Sequence, residues 1–212
     1  MHIYSHIKNI MDAEKAPHTV LEIGAHIGND TVRILKNSSP CKYFAFEPDP
    51  TSYKIFERLP IIDKVQLAKC AVGDYDGTII FNQCDCTHPV NKTRFTGASS
   101  ILEPSDILLK KHAWIKMEKS ITVPICTLDT FTKSHNLQQV TFIWCDAQGA
   151  EGKIIQGAVE TLKRTKYFYF EYFEQEMYTD CMVLDEILEL LPNWEIVERY
   201  VGDILLKNTE MV

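Results

Sequence analysis

The 212-residue chain has no apolar run long enough to cross a bilayer and no signal-peptide pattern at Met1. It has no long basic run, and its formal net charge is −7, which argues against broad contact with nucleic-acid phosphates. Internal repeats and low-complexity tracts are also missing, so neither a solenoid nor a disordered array is expected. The seven cysteines are odd in number and several, such as Cys70 and Cys145, sit in apolar segments. Reduced, buried thiols in a cytoplasmic protein are the expectation. Cys84-Asp85-Cys86-Thr87-His88 resembles a metal clip, but a second ligand pair at zinc-site spacing is lacking. What is present is a 45% hydrophobic content, enough for one good core and a single domain over residues 1–212. Nothing in the pattern fixes an oligomeric state.

The most informative stretch is Val20-Leu21-Glu22-Ile23-Gly24-Ala25-His26-Ile27-Gly28-Asn29-Asp30. An aliphatic run ends in Gly24, Gly28 follows, and a helix start comes next. In an open α/β sheet a nucleotide-like ligand sits at such a turn. Gly24 is free to adopt backbone angles that a side chain forbids, and Gly28 lets backbone and ligand approach closely. The next hydrophobic strand ends in Glu47, a carboxylate placed to accept both ribose hydroxyl hydrogens. A dinucleotide fingerprint needs three glycines to seat a pyrophosphate. Here His26 takes the middle position, the third glycine is absent, and Glu22 adds negative charge. These features favour a cationic, phosphate-free nucleoside: S-adenosylmethionine.

Ile3, Ile7, Ile10 and Met11 recur at helical spacing and predict an amino-terminal helix within residues 1–16. Strands are expected at 19–23, 42–46 and 65–71, with helices at 31–36 and 52–59, the second capped by Thr51. The alternation then breaks. A turn at Asp76-Gly77 and a strand at 78–81 precede a mixed polar stretch, 82–119, too long for an ordinary loop. Residues 75–139 therefore read as an insertion after strand three that covers the acceptor site. It holds a short helix near 107–114, a strand at 120–125 and a helix at 128–134 capped by Thr127. Alternation returns with a strand at 140–145, a helix at 152–163, a strand at 167–170 ending in Glu171, and a helix at 183–191. The last two strands, 194–200 and 203–207, are joined so tightly at Gly202 that they must be antiparallel. The whole predicts an α/β protein, a mostly parallel sheet with helices on both faces.

Six blocks occur in order: Glu22-Ile23-Gly24-Ala25-His26-Ile27-Gly28, Phe46-Glu47-Pro48, Ala71-Val72-Gly73-Asp74, Gly97-Ala98-Ser99-Ser100, Thr127-Leu128-Asp129 and Asp146-Ala147-Gln148-Gly149-Ala150-Glu151. Across residues 19–175 the chain resembles the FkbM family of S-adenosylmethionine-dependent methyltransferases. The resemblance implies a Rossmann-like class I methyltransferase fold, a seven-stranded sheet with one antiparallel strand. It also implies O-methylation of a sugar or glycan hydroxyl. The alternatives are a natural-product hydroxyl, or a cofactor-binding module without activity; the intact series Glu22, Glu47 and Asp146 argues against the module. The family usually has Asn in place of His26 and Lys in place of Trp144.

By this resemblance Glu47 holds the ribose, and Asp74 with the Ala71-Val72 backbone flanks the adenine. Glu22, Gly24, Ala25, His26 and Gly28 surround the methionine part. Asp146 lies beside the methyl group and Glu171 faces the same crevice. Two such carboxylates serve either as a general base, once burial raises a pKa, or as ligands for a magnesium ion that acidifies the hydroxyl. The sequence leaves both open. Glu171 also reads as a helix cap or ion-pair partner, and Glu151 as a helix-dipole partner or a site residue. Ser99 and Ser100 line the acceptor pocket or shape a turn. Trp114, beside Lys110 and Lys111, is a stacking wall for a sugar or a core aromatic. His88, His112 and His135 read as surface residues.

Overall fold

A computed structural model describes residues 3–211. Helix α1 (Ile3–Ala13) buries Ile3, Ile7, Ile10 and Met11, the residues whose spacing predicts it. Met1 and His2, included in the expected helix, lie outside the described residues. All six residues of β1 (His18–Ile23) are buried, as a strand covered on both faces requires. After the glycine turn come α2 (Asn29–Asn37) and β2 (Cys41–Phe46). The cap of α3 (Pro50–Phe56) is Asp49 rather than Thr51. The Asp49 carboxylate accepts the Thr51 N–H at 2.8 Å. Pro50 then takes the first helical position, where a missing N–H is no loss.

Strand β3 (Gln66–Ala68) is shorter than the expected 65–71 because the chain leaves the sheet after it. Ala71–Val72 instead forms β4 of a second sheet, with β5 (Gly77–Gln83) and β8 (Lys119–Cys126) in the order β4-β8-β5. The mixed polar stretch between them is ordered. It contains a small hairpin of β6 (Cys86–Thr87) and β7 (Arg94–Phe95), then helix α4 (Asp106–Lys111). Its own core includes Cys84, Ala98, Leu108, Ile115 and Tyr178.

Helix α5 (Leu128–Ser134), capped by Thr127, leads to the fully buried β9 (Val140–Cys145). The helix expected at 152–163 is two pieces, α6 (Glu151–Gln156) and α7 (Val159–Leu162). The break falls at Gly157, where a Cβ would lie 1.9 Å from the Gly73 carbonyl oxygen. Strand β10 (Thr165–Glu171), helix α8 (Leu184–Glu189), β11 (Trp194–Arg199) and β12 (Asp203–Asn208) complete the chain.

The main sheet has seven strands in the order β11-β12-β10-β9-β1-β2-β3. Its pairings are parallel except those of β12, which runs antiparallel to both neighbours. Alternate strand residues feed two cores. Leu21, Ile23, Phe44, Phe46 and Ile143 pack on one face; Val20, Tyr43, Ala45, Phe142 and Trp144 pack on the other with α1. From β1 the strand order runs outward through β2 on one side and β9 on the other. That reversal opens a crevice beyond the carboxyl ends of β1 and β9. No helix among the described residues is long and apolar enough to cross a membrane.

Candidate active site

The crevice begins at Gly24, whose φ is +81°. A Cβ there would stand 1.8 Å from the Asp146 carbonyl oxygen, so the ends of β1 and β9 meet only because this residue is glycine. His26 also has a positive φ, +51°. Its N–H donates to Glu47 Oε2 at 2.7 Å, and the Asp49 N–H donates to Glu47 Oε1 at 2.7 Å. The turn after β1 and the turn after β2 are thus tied through one carboxylate. The His26 ring meets Thr96 Oγ1 at 2.5 Å, which fastens the insertion over the same turn.

The cavity so formed is lined by Gly24, Ala25, His26, Glu47 and Asp146 and closed on its apolar side by Phe46 and Val72. Asp30 and Asp49 add two more carboxylates, and no Lys or Arg is among the lining residues. Burial dominates the ionisation of these groups. It pushes Glu47 up to about 7 despite two backbone donors that favour the anion. It raises Asp146, and it lowers His26, which favours the neutral ring. Glu171 stands well above the carboxylate range, first through burial and then through the charges of Asp146, Glu151 and Asp203. Burial thus holds both carboxyls of the Asp146 and Glu171 pair above the ordinary range.

The methyltransferase FkbM domain matches residues 22–200. The chain belongs to the FkbM methyltransferase family. Over 203 residues it is 33% identical to 2-O-methyltransferase NoeI of Sinorhizobium fredii (strain NBRC 101917 / NGR234), covering 93% of this chain and 82% of that protein. The family makes the chain a methyltransferase. Its fold is that of the FkbM methyltransferase structure from Methylobacillus flagellatus KT, with a TM-score of 0.57 at 14% identity over 96% of this chain. The chain spans 47% of that structure's length. The METTL16 methyltransferase domain gives a TM-score of 0.53 at 10% identity, over 99% of this chain and 67% of that one. Membership of a methyltransferase family implies S-adenosylmethionine as methyl donor.

The residues fit that donor. A cavity of carboxylates without a cation suits a sulfonium and an ammonium and repels phosphate. The walls at Phe46, Ala71, Val72 and Ile101 suit an adenine ring.

Several residues assigned from the sequence stand elsewhere in this FkbM methyltransferase. Glu22 is buried beneath the turn, where its Oε2 accepts Thr31 Oγ1 at 2.6 Å and the Tyr43 hydroxyl at 2.8 Å. Gly28 has φ +84°, but an added Cβ would strike Leu59 at 2.4 Å and Phe56 at 2.8 Å. It allows α2 to pack on α3 and does not line the cavity. Asp74 is exposed, 3.7 Å from Lys153, and outside the cavity. Ser99 lines the cavity, whereas Ser100 is buried and donates to the Gln148 carbonyl oxygen at 2.8 Å. Trp114 packs edge-on to His88 and Phe95 in the insertion, with both ring centroids at 5.0 Å. Glu151 is buried and accepts the Ala147 N–H at 2.8 Å, so it shapes the turn after β9.

Gln148 is the residue the sequence reading missed. It sits at φ +52°. Its Nε2 donates to Asp146 Oδ1 at 2.8 Å and to Glu171 Oε2 at 2.6 Å. Its Oε1 accepts the Tyr178 hydroxyl at 2.8 Å. An amide in a strand-to-helix turn between Asp146 and Glu151 was the available signal. The clamp also bears on magnesium. The amide hydrogens point at both carboxylates, where a cation would have to sit. Among the described residues no group of three or more His, Cys, Asp or Glu could hold a metal ion. The Asp146–Glu171 pair does not fit a magnesium site. The Cys84 and Cys86 sulfurs lie 3.6 Å apart and bond to backbone oxygens at Phe95 and Lys116, and the His88 ring turns to Trp114.

Proposed function

We propose that this enzyme methylates a hydroxyl group of a sugar or glycan, with S-adenosylmethionine held in the cavity at the ends of β1, β2 and β9. The observation that carries the reading is the lining of that cavity: four carboxylates, hydroxyls from Thr96, Ser99 and Ser52, and no cationic side chain. Such a surface attracts the cationic donor and disfavours a phosphate group beside it. The 2-O-methyltransferase activity in the name of the relative from Sinorhizobium supports a hydroxyl acceptor. Seven free cysteines support a reducing, cytoplasmic setting.

Glu47 is assigned to the ribose. Its two oxygens are fixed by the His26 and Asp49 N–H groups and keep lone pairs toward the cavity. Asp146 is assigned as the general base. Bound S-adenosylmethionine supplies an electrophilic methyl group whose transfer leaves a neutral thioether. Asp146 takes the hydroxyl proton as the acceptor oxygen gains the methyl carbon. Burial raises the basicity of Asp146, and Gln148 aims it. Glu171, held well above the carboxylate range by burial, is assigned as the protonated partner. Positioning of oxygen against methyl carbon supplies much of the rate, roughly 7 to 11 kcal/mol of barrier.

The test is a panel of neutral glycosides and aryl alcohols assayed with labelled donor, for the wild type and Asp146→Asn. The expected result is transfer to a glycoside, with turnover in the variant lowered about 10²- to 10⁴-fold and donor affinity within a few fold. Normal turnover by the Asn variant would remove Asp146 from the chemistry.

A further inference from the structure

We infer that the acceptor binds in a second cavity, beyond Asp146 from the donor site, and that this cavity takes a neutral polyhydroxylated ring. The inference rests on the donor reading of the first cavity. Asp30 and Asp146 line both spaces, so they form a shared wall. The second cavity lies between α1, α2 and the ends of β9, β10 and β12. Its side walls belong to the core on the α1 face of the sheet. Its volume of about 450 Å³ falls in the usual range for small-molecule sites, roughly 300 to 1,000 Å³.

The wall is aromatic. Tyr4 stacks on Trp144 with centroids 5.9 Å apart and planes 12° apart. Trp144 lies 4.3 Å from Tyr169, and Tyr169 lies 5.9 Å from Tyr200. Around this wall stand Asp30, Asp146, Glu171 and Asp203, with Arg33 at 3.3 Å from Asp30. A sugar presents flat C–H faces, which lie against aromatic rings, and hydroxyl edges, which donate to carboxylates and accept from guanidinium. Trp144 and Tyr169 are buried behind the partly exposed rings of Tyr4 and Tyr200, which with the acids and Arg33 meet both needs. The carboxylate assigned as base is open to this cavity and to the donor cavity alike.

The insertion offers less. Ser100 and Trp114 are engaged in packing away from the donor cavity. Ser99 Oγ already donates to the Thr96 carbonyl oxygen at 2.8 Å and accepts the Cys84 N–H at 2.9 Å. The insertion covers the donor, and the acceptor enters from the α1 face.

Two variants test this, Asp203→Asn and Arg33→Gln; neither residue lines the donor cavity, and Arg33 touches only its shared wall at Asp30. Acceptor KM is measured with the acceptor identified from the panel. Acceptor binding is measured separately by NMR titration in the presence of S-adenosylhomocysteine, and affinity for that nucleoside by calorimetry. Each variant should weaken acceptor KM and binding about tenfold, the effect of one lost hydrogen bond to a charged group. Nucleoside affinity should stay within twofold, which also certifies the fold. A glycoside acceptor whose KM and binding are unchanged in both variants, and are weakened instead by Ser99→Ala, overturns the location and leaves the sugar reading standing. An aryl alcohol acceptor that weakens in both variants keeps the location and overturns the sugar assignment.

Discussion

Glu22→Gln should make this enzyme more stable at alkaline pH. Glu22 is 1% exposed, and burial pushes its carboxyl up to about 8 from an ordinary 4.5. The folded protein therefore keeps a proton that the unfolded chain releases near 4.5. Between those two values the unfolded state binds fewer protons, so wild-type stability falls as pH rises. The ceiling is set by a span of roughly 3.5 pH units at about 1.4 kcal/mol each, or roughly 5 kcal/mol at pH 8 and above. Relaxation of the buried site reduces this, and roughly 2 to 3 kcal/mol is the working figure. Glutamine can hold the local bonds. Thr31 and Tyr43 both donate to the single oxygen Oε2, a place that an amide oxygen can take. Thermal unfolding of both proteins at pH 5 and pH 8 measures the effect. The variant should match wild type at pH 5 and melt roughly 4 to 12 °C higher at pH 8. A variant that melts lower than wild type at pH 8 would show that Glu22 is ionised and held by its charge, which refutes the reasoning.

Glu47→Ala removes the assigned ribose acceptor and should weaken S-adenosylmethionine roughly five- to 150-fold by calorimetry; unchanged affinity in a folded variant rejects the assignment. Gln148→Leu removes the amide bond that favours the Asp146 anion. The acid limb of the kcat profile should move to higher pH with donor affinity within a few fold, and a profile shifted the other way would count against the clamp. The ratio of S-adenosylmethionine to S-adenosylhomocysteine affinity should rise between pH 6 and 8, because Glu47, pushed up to about 7, becomes anionic there and only the first ligand carries a sulfonium; a flat ratio would place the sulfonium away from these acids.

Much of the sheet was legible because its central strands are apolar without interruption. Residues 140–145 and 42–46 announce buried parallel strands, and Glu47 ends one of them about twenty positions after the first glycine. Glu22 was also legible in principle. Strand periodicity pairs it with Val20, on the face away from Ile23, and the cavity borrows the Ile23 face. Proximity in sequence to Gly24 outweighed that alternation. Gly28 and Gly157 misled for another reason: each makes room for a distant segment, Phe56 and Leu59 for one and the Gly73 backbone for the other. Local pattern holds no trace of such crossings. The insertion resisted for the same cause, since β5 pairs with β8 some forty residues on and its core borrows Tyr178 from beyond β10. Gln148 joins Asp146, Glu171 and Tyr178, partners brought together only by the parallel sheet.

The site gathers acids that its own burial makes costly to ionise. Asp30, Glu47, Asp49 and Asp146 share one cavity without a lysine or arginine among its walls, and Glu171 and Glu151 stand close behind. Left alone, such a cluster holds protons, and Glu47 and Glu151 stand near 7 for that reason. A cationic ligand reverses the balance, since each carboxylate that ionises then gains an attraction that offsets its lost hydration. The same field distinguishes donor from product. Methyl transfer removes the positive charge, so the attraction that drew the donor in is absent when the thioether must leave. On the proposed assignment, the proton taken by Asp146 lowers the local negative charge in the same event. Under that assignment, recruitment, base strength and release follow from one arrangement of carboxylates, with Gln148 bridging the central pair.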